Sequence, residues 1–243
     1  MATVLLLRHG RTVSNADGTL AGRTGVGLDD AGTAQATAVG ERLRGVPLRA
    51  IVTSPLKRCT DTVELALAAA NVTLRPTVED GLVECGYGDW EGQALKKLVK
   101  DPLWKVVQLH PAAVRFPGAD GESMAAMSTR AVAAVRGWDA RVAAEHGPDA
   151  LWLACSHGDV IKAVVADALG LHLDLFQRVV VDPGSVTVIR YTPTRPFLLR
   201  LNDTGAPLAS LVPPRRRRRP AQTADSDAPV GGGSGSAEGP QAR

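Results

Sequence analysis

The sequence predicts an α/β fold in which a largely parallel sheet is covered by helices. Three observations lead there. Short apolar runs of strand length recur, "VLLL" at 4–7, "AIVT" at 50–53 and "LWLAC" at 151–155. Stretches of helical spacing separate them, and alternation of this kind is the mark of parallel strands joined by crossover helices. Each run also ends on chemistry-bearing polar residues, Arg8-His9, Ser54 and Ser156-His157.

In chain order, the first run is followed by a helix near 29–44, then by the strand at 50–53. A helix from Ser54 to about Ala70 comes next, with Ser54 as its N-cap and Pro55 as its first residue. After "LRPTVED" and a loop around "ECGYGDWEG", a short helix is expected near 91–99, then an irregular stretch holding Pro102, Pro111 and Pro117. From Glu122 the spacing of Met124, Met127, Val135, Trp138 and Val142 fits one apolar helix face that stops at Gly147. The buried strand "LWLAC" leads into the helix "SHGDVIKAVVADALG", closed by Gly170. Two strands of edge character, "SVTVIRY" and "PFLLRLN", complete the body.

With 243 residues and 44% hydrophobic content the chain is long enough to bury a full core. The formal charge of +3 is misleading as a sign of a basic body. Residues 214–243 hold Arg215 to Arg219 and Arg243 against Asp225, Asp227 and Glu238, so the whole excess lies there. A nucleic-acid partner is therefore not expected. The first apolar run starts almost at Met1, with no basic segment before it, and no later run reaches membrane-spanning length; the expectation is a cytoplasmic protein with no membrane partner. Cys59, Cys85 and Cys155 form no CxxC pair and read as buried free thiols rather than a zinc site. Past Val212 the composition turns to Arg, Pro, Gly and Ser, which cannot bury enough apolar area to offset ordering entropy. Residues 1–212 are thus read as one domain and 213–243 as a disordered tail.

An arginine and a histidine at the end of a buried strand are costly unless they serve a purpose. "RHG" after the first strand, "SPLKR" after the second and "SHGD" after 151–155 all sit at strand carboxyl ends, which in parallel α/β sheets converge on one edge where ligands bind. His9, Arg58 and His157 should therefore meet there. Helix starts favour anions, and guanidinium forks match phosphate oxygens, so the expected ligand is a phosphoryl group.

The motifs "LLLRHGRT", "TSPLKRCTDT", "VECGYGDWEG" and "SHGD", in that order over roughly residues 3–201, resemble the histidine phosphatase superfamily. The resemblance implies a phosphoglycerate mutase-like three-layer sandwich. It implies His9 as nucleophile, with Arg8, Arg58 and His157 forming the phosphate pocket, Glu84 as proton donor and Asn15 as a further phosphate contact. The chemistry is coherent on its own terms. A neutral imidazole can attack phosphorus and divide one hard displacement into two. Arg8, Arg58 and a protonated His157 would neutralise the transition state. Glu84 would protonate the leaving alkoxide and then activate water. No metal or other cofactor is required.

Mutases of this family carry a long insertion after the Trp-Glu-Gly motif, whereas here fewer than about thirty residues join Gly92 to Glu122, ending in the phosphatase-like "FPGADGES". A short lid leaves a phosphoenzyme open to water. The leading expectation is a metal-independent phosphomonoesterase acting on a small phosphorylated metabolite, with Arg23 as a substrate-loop candidate. A phosphoglycerate-type mutase is the first alternative. A catalytically weak phosphate-ligand or polyanion-binding protein working through Arg215 to Arg219 is the second. A homodimer is left open, as is a redox role for Cys85 beside the expected acid.

Overall fold

The computed structural model describes residues 1–206 and Gly231. The sequence expectations for 207–230 and 232–243, including a disordered arginine-rich tail, lie outside the described residues.

A six-stranded sheet has the order β3-β2-β4-β1-β5-β6. Its strands are β1 (Thr3–Arg8), β2 (Leu48–Thr53), β3 (Thr77–Val78), β4 (Leu151–Ser156), β5 (Val186–Arg190) and β6 (Phe197–Asp203). The first four are mutually parallel, while β5 runs antiparallel to β1 and β6 antiparallel to β5. Helices α1 (Val13–Asp17), α2 (Asp30–Leu43), α3 (Lys57–Ala70), α4 (Leu95–Leu98), α5 (Pro102–Leu109), α6 (Met124–His146) and α7 (Gly158–Leu169) complete the domain.

The two-residue period of a strand sorts side chains onto opposite faces. Leu7, Ile51, Leu153 and Cys155 pack with Val39 and Leu43 of α2 and Val63 and Leu67 of α3. Val4, Leu6, Val52, Trp152 and Ala154 pack on the other face with Met127, Ala131 and Val135 of α6 and Val160, Ile161 and Val164 of α7. The expected three-layer arrangement is present. No helix among the described residues is long and apolar enough to cross a membrane. The three cysteines are buried and free, as expected.

Three expectations change. The helix after β2 starts at Lys57, not Ser54, with Leu56 at its N-cap; Ser54 is fully buried at the end of the strand, where its hydroxyl lies 2.8 Å from His157 Nε2 and accepts Leu56 N–H at 3.4 Å, one turn short of the helix. The stretch taken as irregular contains α5, whose Asp101 side chain caps Leu103 N–H and whose Pro102 fills the first helical position. Those two residues were a legible start signal. Finally, β5 is interior, between β1 and β6, so of the two last strands only β6 lies at an edge.

The link from Gly92 to Glu122 is not a free lid. Leu98, Trp104, Val107 and Phe116 are buried in the core, and Trp104 stacks on Trp90 with ring centroids 6.1 Å apart.

Candidate active site

Parallel register brings the three motifs together. Arg8 lies opposite Ser156, and Thr53 opposite Cys155. His9 N–H then donates to Ser156 O at 3.0 Å and Ser54 N–H to Cys155 O at 3.0 Å, which carries the pairing one residue past the strands. The residues that follow emerge side by side at the carboxyl edge of the sheet. The sharp exit from β1 requires Gly10, since a Cβ there would stand 2.5 Å from the Gly32 carbonyl oxygen of α2.

His9 is buried, and its Nδ1 lies 2.7 Å from Gly10 O. A carbonyl can only accept, so Nδ1 carries the proton and Nε2 presents its lone pair. Arg58 Nε–H donates to that Nε2 at 3.3 Å. Burial, then the charges of Arg58 and Arg8, hold His9 well below the usual imidazole range, so it is neutral. Its ring faces that of His157, centroids 5.3 Å apart.

Arg58 is the second residue of α3 and is buried. Its Nη1 and Nη2 donate to Thr24 O at 3.2 Å and Gly22 O at 2.6 Å, which ties the 18–28 loop to the site. Arg8 is fully buried; its Nη1 donates to Val181 O at 2.7 Å and its Nη2 to Gly231 O at 3.2 Å. Burial lowers Arg8 to about 10, leaving it charged at neutral pH.

His157 is also fully buried, with Nε2 2.8 Å from Ser54 Oγ and 3.5 Å from Cys59 Sγ. Burial, then Arg58, His9 and Arg8, push it well below the ordinary imidazole range. Close to two arginines a further positive charge is disfavoured, so His157 is neutral here, whereas the expectation of a protonated His157 concerned the transition state.

Glu84 is buried, and its Oε1 accepts Cys85 N–H at 2.9 Å. Burial first and the Asp159 carboxylate second raise it to about 7, against the pull of Arg58 and Arg8. Arg23 donates through Nε to the Glu84 carbonyl at 3.1 Å and through Nη2 to Glu122 at 2.9 Å, so it stands on the rim beside Glu84. Arg130 braces the same segment, donating to the carbonyls of Gly81, Val83 and Glu84 and to both oxygens of Glu122. Asn15 turns its side-chain oxygen back to Thr12 N–H at 3.0 Å in a capping box at the start of α1. The arrangement thus unites His9, Arg8, Arg58, His157 and Glu84, with Arg23 at the rim, while the side-chain oxygen of Asn15 serves the local turn.

Sequence reasoning assigned no part to Asp159, Tyr87 or Lys162. Tyr87 donates its hydroxyl to Asp159 Oδ2 at 2.7 Å, and all three are buried. The Asp was in view as the residue after "SHG", but only its tertiary neighbours show what it faces. A cluster with a lone-pair imidazole, two arginines and a carboxyl protonated near neutrality can bind an oxyanion, attack its centre and protonate a leaving group.

That combination on this sheet defines a class, an α/β protein with an oxyanion-binding histidine and arginine site at the carboxyl edge of its parallel strands. The chain belongs to the histidine phosphatase superfamily (branch 1), whose family model matches residues 4–204. A bifunctional protein of Mycobacterium tuberculosis is 32% identical over 205 residues, covering 83% of this chain and 54% of the relative. The chain thus spans about half the length of that relative. An acid phosphatase of the same organism is 31% identical over 84% of this chain and 94% of its own length. A 2,3-bisphosphoglycerate-dependent phosphoglycerate mutase of Gloeobacter violaceus is 27% identical over 75% of this chain and 82% of its own. Among solved structures, the α-ribazole phosphatase of Shigella flexneri superimposes with a TM-score of 0.68 at 25% identity, covering 83% of this chain and 96% of that one.

Proposed function

We propose that this protein hydrolyses phosphomonoesters of small metabolites through a phosphohistidine on His9. The observation that carries the reading is the tautomer: Gly10 O holds the proton on Nδ1, which leaves the Nε2 lone pair facing Arg58 inside a cationic pocket. The similar acid phosphatase supports it from sequence.

His9 Nε2 attacks phosphorus in line with the leaving oxygen. Arg58 moves its Nε–H from His9 to a phosphoryl oxygen, and Arg8 neutralises a second; such preorganised donors act most strongly in a dry site. The arriving dianion supplies the negative charge that His157 lacks in the free site, so His157 takes up a proton as substrate binds. Glu84, protonated below about 7, gives its proton to the leaving alkoxide. As a carboxylate it then takes a proton from the water that cleaves the N–P bond. The short link between Gly92 and Glu122 packs into the core and supplies no long lid to hold a returning phosphoryl acceptor, which supports hydrolysis over the mutase alternative.

The test is phosphate release from a panel of phosphomonoesters, with and without EDTA, by wild type and His9→Asn, with a separate readout for isomerisation of 3-phosphoglycerate. EDTA-resistant release lost in His9→Asn is expected. Isomerisation that needs a bisphosphate primer and outpaces phosphate release would overturn the reading in favour of a mutase.

A further inference from the structure

Asp159 follows Gly158 at the start of α7 and is fully buried, and Lys162, one turn later, is nearly so. Taking such charges out of water costs several kcal/mol per ion, and the phosphatase chemistry above uses the pair only through the effect of Asp159 on Glu84. Their contacts show what they serve. Lys162 Nζ stands 3.7 Å from Asp159 Oδ1 and donates to Gln177 Oε1 at 2.9 Å. Asp159 Oδ2 accepts the Tyr87 hydroxyl at 2.7 Å and the Gly231 N–H at 3.1 Å. Asp159 Oδ1 has no hydrogen-bond partner among the described residues.

Gly231 is held as a ligand would be. Its nitrogen sits on the buried carboxylate, and its carbonyl oxygen accepts from Arg8 Nη2 at 3.2 Å. The space around it is close: a Cβ at Gly231 would stand 3.1 Å from Leu20 Cδ1 and 3.8 Å from the Tyr87 hydroxyl. One donor and one acceptor, three covalent bonds apart, therefore span the gap between a pocket arginine and Asp159.

We propose that Asp159 selects the substrate by accepting a hydrogen bond from an ammonium group of the leaving alcohol, so that the site takes 2-aminoalkyl phosphomonoesters. This rests on the phosphatase reading and names its substrate class. In such an ester the nitrogen and the ester oxygen are separated by the same three bonds as the Gly231 nitrogen and oxygen. With the nitrogen on Asp159 Oδ2, the ester oxygen falls under Arg8, and the phosphoryl group extends into the cationic pocket with His9. The N⁺–H···O⁻ bond is charge-assisted. Tyr87 and Lys162 fix the carboxylate in place, and an ester without the amine offers Asp159 Oδ2 no donor of its own in a dry pocket. Sites built to hydrogen-bond a substrate group discriminate strongly against analogues that lack it.

The test compares O-phosphoethanolamine with n-propyl phosphate, in which a methyl group replaces the ammonium, on the full chain and on Asp159→Asn. The wild-type kcat/KM is expected to favour the amine ester by about tenfold or more, and the ratio to fall toward one in Asp159→Asn. Any altered proton affinity of Glu84 acts on both esters alike, so the ratio isolates recognition. Tyr87→Phe, which keeps the carboxylate, should retain the preference. A wild-type ratio near one overturns the proposal whether or not the variant folds, and so does a ratio unchanged by Asp159→Asn. If neither ester is turned over, the phosphomonoester panel judges the phosphatase reading separately; calorimetric binding of the two esters to His9→Asn then decides, tenfold tighter binding of the amine ester supporting the selection and equal binding overturning it.

Discussion

Arg58 Nε lies 3.3 Å from His9 Nε2 and donates to the lone pair proposed to attack phosphorus. The same guanidinium is anchored at its other two nitrogens by the carbonyls of Gly22 and Thr24. The arginine is thereby aimed before substrate arrives, and it must exchange one hydrogen bond, not its position, when phosphate binds. Arg58→Lys keeps the charge but loses the fork and both loop carbonyls. We expect kcat/KM to fall by about 10²-fold to 10³-fold, the usual cost of removing one preorganised donor. Steady-state kinetics on any turned-over ester checks this.

The pH profile follows from two shifts. Glu84 must be protonated to act as acid and is raised to about 7, so kcat/KM should decline as pH rises through about 7. His9 must be neutral and is held well below the usual imidazole range, so the acid limb should lie below the ordinary histidine region. Activity is thus expected to extend into mildly acidic pH. Glu84→Gln should erase the basic limb and slow alkyl esters by about 10²-fold to 10⁴-fold. p-Nitrophenyl phosphate, whose leaving group needs little protonation, should be affected far less; an equal loss for both would remove Glu84 from the role of acid.

Gly10→Ala tests the exit from β1. The added methyl would stand 2.5 Å from a backbone oxygen of α2, which cannot rotate away. The expected loss is about 1–3 kcal/mol of stability, with activity reduced by displacement of His9. Gly25→Ala, at a position where a Cβ meets nothing within 4 Å, is the control and should melt with the wild type.

Deleting residues 213–243 removes Gly231 from Arg8 Nη2 and Asp159 Oδ2. A substrate would then meet an unoccupied donor and acceptor, so KM for small phosphomonoesters should fall while kcat stays near the wild-type value. The measurement is a Michaelis curve for each chain. An unchanged KM would mean that Gly231 does not compete for the pocket.

By itself, the sequence determined the ingredients and their order. Apolar runs ending in Arg8-His9, Ser54 and Ser156-His157, separated by helical spacing, specified parallel strands whose carboxyl ends share an edge, because strand period and crossover connections are local properties. Arg8, His9, Arg58 and His157 could be named for the same reason, since each lies at or just after the end of a strand that the pattern marks, whereas Glu84 was legible only through the resemblance to the histidine phosphatase superfamily. Helix α5 was equally legible in Asp101-Pro102 and was missed under the weight of three nearby prolines. The tertiary structure alone decided the rest. It started the helix at Lys57 and placed the Ser54 hydroxyl against His157, made β5 an interior strand and left His157 neutral between two arginines. It also turned Asp159, Tyr87 and Lys162, from two distant parts of the chain, into one buried cluster at the pocket. Proton affinity and recognition depend on desolvation and on charges close in space, and residues 72 positions apart, as Tyr87 and Asp159 are, carry no local signal that they will touch.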